Sequence, residues 1–239
     1  MIFHFSHILK RTAINIFFPS VILLSCFLLI GKTNAYQYTG ERIIYLISPL
    51  GVSEYNDLGI VIFQGKKARL ATFRTQVLGF DDTERIYTDP DSFLPLRVER
   101  DISAWLKKEY IIEEYEPKKG VLTIKKFKDK RKIEEQVLRE NGPFYNAVLL
   151  PFYLRNIANL DIGWTFQVRV PKKFEVKLVS IEDIVVPAGK FKAYHFTSIP
   201  NKFEIWISKD IRRVPLKIKG LGGLNYTLAM KEHNLKQKQ

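Results

Sequence analysis

Residues 202–220 read KFEIWISKDIRRVPLKIKG. Phe203, Ile205 and Ile207 alternate with Glu204, Trp206 and Ser208, and Val214, Leu216 and Ile218 alternate with Pro215, Lys217 and Lys219. Two period-2 runs therefore flank the polar insert at 209–213, which predicts a β-hairpin with one buried face. Asp210 and Arg213 are expected to hold its turn through a charge-assisted bond. Trp206 shares a face with Glu204 and Ser208, so the strand is either buried on both sides or places Trp206 on a cavity wall. The polar neighbours favour the cavity wall, because Glu204 and Ser208 in a dry core would need partners.

The same rhythm runs through most of the chain. Short β-branched and aromatic runs are punctuated by Pro49, Gly51, Gly59, the turn at Gln64 to Lys67, Asp89-Pro90-Asp91-Ser92, and Glu116 to Gly120. One segment departs from it. Residues 143–156, PFYNAVLLPFYLRN, are too crowded with apolar side chains for alternation, and Asn141-Gly142-Pro143 ahead of them is a helix entry. A short helix is predicted there, divided by Pro151, since an interior proline forfeits a hydrogen bond. The fold class is mainly β: about ten or eleven strands in a single antiparallel, strongly curved sheet, barrel-like or folded into a sandwich, with one short helix. Periodicity does not choose between barrel and sandwich.

The ends of the chain have a different character. Lys10 and Arg11 precede an apolar run at 14–30, and Thr33-Asn34-Ala35 supplies small residues where a signal peptidase cuts. Residues 1–35 are thus expected to be a signal peptide cleaved after Ala35, giving a periplasmic protein; the alternative is an inner-membrane anchor, for which the run is short and interrupted by Pro19. Leu23-Leu24-Ser25-Cys26 is a loose lipidation motif, but the apolar run continues past it. Residues 36–231 form the single β domain and 232–239 a polar tail.

The one cysteine of the chain is Cys26, so residues 36–239 offer no thiol chemistry and no disulfide. Removing the leader takes Lys10, Arg11 and Lys32 from the 38 basic side chains and none of the 25 acidic ones. The domain stays strongly basic, and outside the cytoplasm a basic surface meets anionic lipid or acidic glycan rather than nucleic acid.

No catalytic or metal signature emerges. His195 lies within a strand and His233 in the tail, so no pair stands at metal spacing and both read as structural or solvent-facing. Asp81, Asp82, Asp89 and Asp91 read as turn acids rather than a calcium loop. Glu113, Glu114 and Glu116 could supply a carboxylate pair, but adjacent glutamates on a strand point to opposite faces, which argues against a glycosidase pair. No cofactor is implied. The densest charge run, 125–132, places Lys125, Lys126, Lys128, Lys130, Arg131 and Lys132 at a hairpin tip, either an anionic-surface contact or a solvated loop.

Five motifs occur in order: Gly40-Glu41-Arg42-x-x-Tyr45, Tyr87-x-Asp89-Pro90-x-Ser92-x-Leu94-Pro95-Leu96-Arg97, Tyr153-Leu154-Arg155, Val186-Pro187-Ala188-Gly189-Lys190-Phe191, and Trp206-Ile207-Ser208-x-Asp210-x-x-Arg213-x-Pro215-Leu216. In order and spacing they resemble the DUF3108 family of exported bacterial proteins, across essentially the whole chain after the leader. The resemblance implies a periplasmic, mainly β protein with no established activity.

The functional expectation is a non-enzymatic envelope protein that binds a hydrophobic or amphipathic, lipid-like ligand, or an envelope partner, in a sheet concavity. Trp105, Tyr110, Trp164, Phe166 and Trp206 are the candidate lining. A structural envelope scaffold or interaction protein is the runner-up, and an enzyme acting on glycan or lipid the third. An apolar cavity, a filled core and a polar cleft with paired carboxylates would distinguish the three; oligomeric state is open.

Overall fold

A computed structural model describes residues 40–48, 50–105, 107–221 and 226–235. The expected leader lies outside the described residues. The strands are β1 (Glu41–Ile47), β2 (Gly51–Phe63), β3 (Lys66–Val77), β4 (Phe80–Thr88), β5 (Pro95–Ala104), β6 (Lys107–Glu116), β7 (Val121–Lys128) and β8 (Arg131–Arg139). After the helix α1 (Leu150–Leu154) come β9 (Thr165–Arg169), β10 (Lys173–Val186), β11 (Gly189–Ile199), β12 (Glu204–Ser208), β13 (Pro215–Lys219) and β14 (Thr227–Leu235).

All fourteen strands belong to one antiparallel sheet in the order β8-β7-β6-β5-β4-β3-β2-β1-β14-β13-β12-β11-β10-β9. Neighbours in the sheet are neighbours in sequence except at its centre, where β1 pairs with β14 and joins an N-terminal meander to a C-terminal one. The sheet is not closed: β8 and β9 are its two edges. A single core nevertheless draws on both meanders, from Phe73, Ile86 and Val98 to Val176, Leu178 and Phe196, so the sheet curls around its inner face.

Alternation explains which residues enter that core. In β1 Glu41, Ile43, Tyr45 and Ile47 are buried and the residues between them are not. The hairpin at 202–220 forms as read, with Ile205 and Ile207 wholly buried and the turn held by Asp210. Asp210 Oδ1 accepts from Ser208 Oγ (2.9 Å) and the Arg212 and Arg213 amides (2.9 and 3.2 Å). Arg213 does not bond to Asp210 through its guanidinium, which instead donates to the carbonyls of Arg155 (3.4 Å) and Ile157 just past α1.

The structure also departs from the sequence reading. Gly51 and Gly59, read as breaks, lie within one thirteen-residue strand, because Gly59 takes φ +82° at a bulge that absorbs one extra residue opposite β3. Residues 131–139, of which the sequence reading placed 131 and 132 at a hairpin tip and assigned the rest to no element, form β8: paired on one side only and exposed along almost its whole length, it has no apolar face to betray it. Its charges suit an edge strand, where they discourage further pairing. Strand β14 continues to Leu235, so Glu232, His233 and Asn234, assigned to the tail, extend the sheet.

The predicted helix shrinks to α1. Residues 144–149 are irregular, and Pro151 sits in the first turn, where a missing N–H costs nothing. Asn146 Oδ1 accepts from the Leu149 amide at 3.1 Å to start the turn. Although α1 is short, it fills the inner face: Leu150 and Leu154 are fully buried, and Phe152 stacks on Tyr55 with centroids 3.9 Å apart. Next to it Arg155 makes a bidentate pair with Glu41 (2.9 and 2.7 Å), and His233 Nε2 lies 2.9 Å from Glu41 Oε1. His233 is thus no solvent-facing tail residue; its side chain is 7 % exposed.

Candidate functional site

The inner face of the N-terminal meander carries a buried polar cluster. In β4 the period-2 set Asp82, Glu84, Ile86 and Thr88 faces inward. Register places Arg100 of β5 opposite Glu84 and Thr75 of β3 opposite Asp82. Arg100 pairs with Asp82 and lies 3.5 Å from Glu84 Oε1. Asp82 Oδ1 and Arg100 Nε are buried without a hydrogen-bond partner among the described residues. On β6, Tyr115 donates to Glu113, and at the other margin Ser53 and Thr75 share a hydroxyl contact of 3.0 Å.

Three carboxylates around one guanidinium shape the local electrostatics. Burial pushes the Glu84 carboxyl up to about 7; Arg100 opposes this, while the charges of Asp82 and Glu113 add to it. Burial likewise pushes the Tyr115 hydroxyl well above its usual range, with Glu113 reinforcing the effect. The cluster can hold a proton near neutrality. It is packed against the 143–160 segment, with Asn146 bonded to Glu84.

This proton has a thermodynamic signature. Between its ordinary value of 4.5 and about 7, Glu84 is protonated in the native state and ionised in the unfolded one, so stability falls as pH rises through that window. The loss is about 3 kcal/mol, from roughly 1.4 kcal/mol per pH unit. Glu84→Gln should abolish this slope and be the more stable protein at pH 8. Urea midpoints measured from pH 5 to 8 check it, and identical slopes in the two proteins would show that Glu84 is ionised when folded.

The five aromatic residues singled out in the sequence do not share one wall. Trp164 and Phe166 come together in an aromatic layer with Tyr145, Tyr153 and Phe196, at centroid distances from 5.1 to 6.1 Å. Tyr110 is half-buried on β6, its ring 6.0 Å from Phe127 across the sheet. Trp105 stands in the β5–β6 turn, 81 % exposed. Trp206 lies on the face of β12 opposite Ile205 and Ile207, yet only 6 % exposed. Its ring is clamped between His195 (4.2 Å, 9° between planes) and the Lys217 ammonium (4.7 Å), and its N–H donates to Glu182 at 2.7 Å. The partners that make this buried position affordable come from β10, β11 and β13, which the sequence of the hairpin alone did not reveal.

Around Trp206, Ser180 Oγ lies 3.4 Å from His195 Nδ1 and His195 Nε2 lies 3.0 Å from Glu204 Oε2. The order of residues mimics a nucleophile–base–orienter set. Ser180, however, donates to Glu182 at 3.0 Å, and the group serves as a polar frame for the indole.

The basic run divides. Lys125 pairs with Glu114 (2.6 Å), Lys126 with Glu134 (2.8 Å) and Lys132 with Glu135. Lys128, Lys130 and Arg131, at the β7–β8 turn, have no acidic partner among the described residues and are exposed. Two surface clefts of about 350 Å³ are present, one bordered by Asn201, Lys202, Glu204 and Lys219, the other by Asp210, Arg212 and His233.

Sequence reasoning missed the buried cluster. The spacing of Asp82, Glu84 and Ile86 was a usable signal, since period 2 places them on one face; their pairing with Arg100 needed the register.

No curated protein sequence matches the chain. Among solved structures, a β-barrel-like protein of the domain of unknown function DUF1849 from Brucella abortus aligns with a TM-score of 0.50 at 10 % identity, covering 84 % of this chain and 99 % of that one. At that identity the likeness concerns the fold alone. The model of DUF3108, a family of proteins of unknown function, matches residues 52–229, and the chain belongs to that family.

Proposed function

We propose that this protein is an exported, non-enzymatic component of the cell envelope that works through contacts on its surface, with the curled sheet as a rigid scaffold. The observation that supports this reading over an internal ligand is the filling of the inner face: Leu149, Leu150, Phe152, Leu154 and Leu160 join the core of both meanders. Such a core leaves the aromatic layer around Trp164 and Phe166 as packing rather than lining. Export rests on the n-region, apolar run and small residues of the first 35 positions.

The test uses the chain processed after Ala35, whose N-terminus mass spectrometry reads as Tyr36. Titration with a fluorescent fatty-acid probe is expected to give no saturable uptake. One-to-one uptake that Phe166→Ala weakens would restore the internal-ligand reading, and recovery of intact Met1 from a membrane fraction would make the apolar segment an anchor.

A further inference from the structure

One end of the sheet combines exposed apolar turns with unpaired basic charge. In an antiparallel meander alternate turns open at the same end, so the β1–β2, β3–β4, β5–β6 and β7–β8 turns form one rim. With strands about 4.8 Å apart, successive turns on this rim stand about 10 Å from each other. The first three present Leu50 (71 % exposed), Leu78 (80 %) and Trp105 (81 %) at their tips. The fourth presents Lys128, Lys130 and Arg131, the half of the basic run that has no acidic partner among the described residues, and exposed Lys107 and Lys108 lie between it and Trp105 along the rim.

Trp105 is held in its exposed position. Its backbone takes φ +54°, unusual for a bulky residue, and its amide donates to the Gly79 carbonyl at 2.8 Å. The indole lies against Gly79 so closely that a Cβ there would come within 2.8 Å of the ring. Glycine at 79 thus seats the ring between turns, and a conformation this restricted, on a side chain that buries so little, marks a position kept for contact.

We infer that this rim docks on an anionic lipid bilayer, with Leu50, Leu78 and Trp105 entering the interface and the β7–β8 turn facing the head groups. The inference rests on the reading of the protein as surface-acting and names its partner. Charge complementarity carries the choice: Lys107, Lys108, Lys128, Lys130 and Arg131 would each gain near an anionic surface. Spacing supports it as well. A stable protein interface buries about 800 Å² per partner around a central cluster of anchors. Three side chains about 10 Å apart on separate turns make no such cluster, whereas a bilayer accepts each at its own point. Tryptophan in particular favours the head-group layer.

The full chain is mixed with vesicles of phosphatidylcholine alone or with phosphatidylglycerol, and tryptophan emission is followed. Trp206 is buried and Trp164 partly so, and the difference between wild type and Trp105→Phe isolates Trp105, wherever the N-terminal apolar segment resides. Its emission is expected to move to shorter wavelength, and to be quenched by brominated lipid, only on the anionic vesicles. Replacing Lys128, Lys130 and Arg131 together by Gln should weaken the apparent lipid affinity roughly tenfold or more, an effect that salt reproduces in the wild type. Leu78→Ser should weaken it without altering the fold. Unchanged Trp105 emission on anionic vesicles overturns the inference, as does a shift that appears without lipid and grows with protein concentration, which would make the rim a protein interface. Either result leaves the internal-ligand test above unaffected.

Discussion

Arg155→Met is expected to lower the unfolding free energy by about 3–5 kcal/mol, the cost of removing one partner from a buried ion pair. Arg155 is 3 % exposed and Glu41 1 %, and their bidentate contact ties the end of α1 to the first residue of β1. Burial works to raise the Glu41 carboxyl, but the hydrogen bond from His233 and the charge of Arg155 outweigh it and hold the group below its ordinary range. The stability this group contributes is therefore present above the unfolded carboxylate value and lost on acidification through the folded one. Removing Arg155 leaves a buried carboxylate with the His233 ring as its hydrogen-bond partner. The loss should be largely recovered in the double variant Glu41→Met, Arg155→Met, because two apolar side chains of similar bulk incur no desolvation of charge. Guanidinium melts of the two singles and the double at pH 7 measure the coupling; additive losses would show that the pair is not a unit and that α1 is held by its apolar contacts alone.

That pair also shows where sequence reading stops. Gly40-Glu41-Arg42 and Tyr153-Leu154-Arg155 stand in the sequence as separate motif fragments, but their contact spans more than a hundred positions and joins β1 to the end of α1, which no local pattern encodes. The hairpin at 202–220, by contrast, was legible because its period of two survives from Phe203 to Ile218 with a single polar interruption. β8 was not, since an exposed edge strand need not alternate. The inner polar cluster failed for a third reason: Asp82 and Glu84 have the composition of a turn, and although their spacing puts them on one face, it is the register setting Glu84 between Phe73 and Arg100 and Asp82 between Thr75 and Ile102 that shows which face is inward. The basic run is legible from composition, and the β7–β8 pairing separates Lys128, Lys130 and Arg131 from the paired lysines.

Trp206→Ala is expected to cost about 3–5 kcal/mol, the range for truncating a large aromatic in a packed site. Sequence reasoning favoured a cavity wall because Glu204 and Ser208 share the face of Trp206, and polar groups there would need partners. They have them. Glu204 meets His195 at 3.0 Å and Lys219 at 2.8 Å, and Ser208 donates to Asp210 and accepts from the Val214 amide. Lys219 and His195 hold the Glu204 carboxyl below its ordinary range against a modest burial effect, and the Trp206 N–H does the same for Glu182. The indole is thereby enclosed from three sides, and its loss removes ring stacking, a cation–π contact and a hydrogen bond to a charged acceptor at once. His195→Ala should cost less, about 1–2 kcal/mol, since it removes one face of the clamp. Ile205→Ala, on the opposite and fully buried face, should cost a comparable amount, about 2–5 kcal/mol. Denaturant melts of the three variants, run beside the fatty-acid probe titration, decide between the two roles. Comparable large losses for Trp206→Ala and Ile205→Ala with probe signal unchanged make Trp206 part of the scaffold; a small loss for Trp206→Ala accompanied by altered probe binding would return it to a ligand wall.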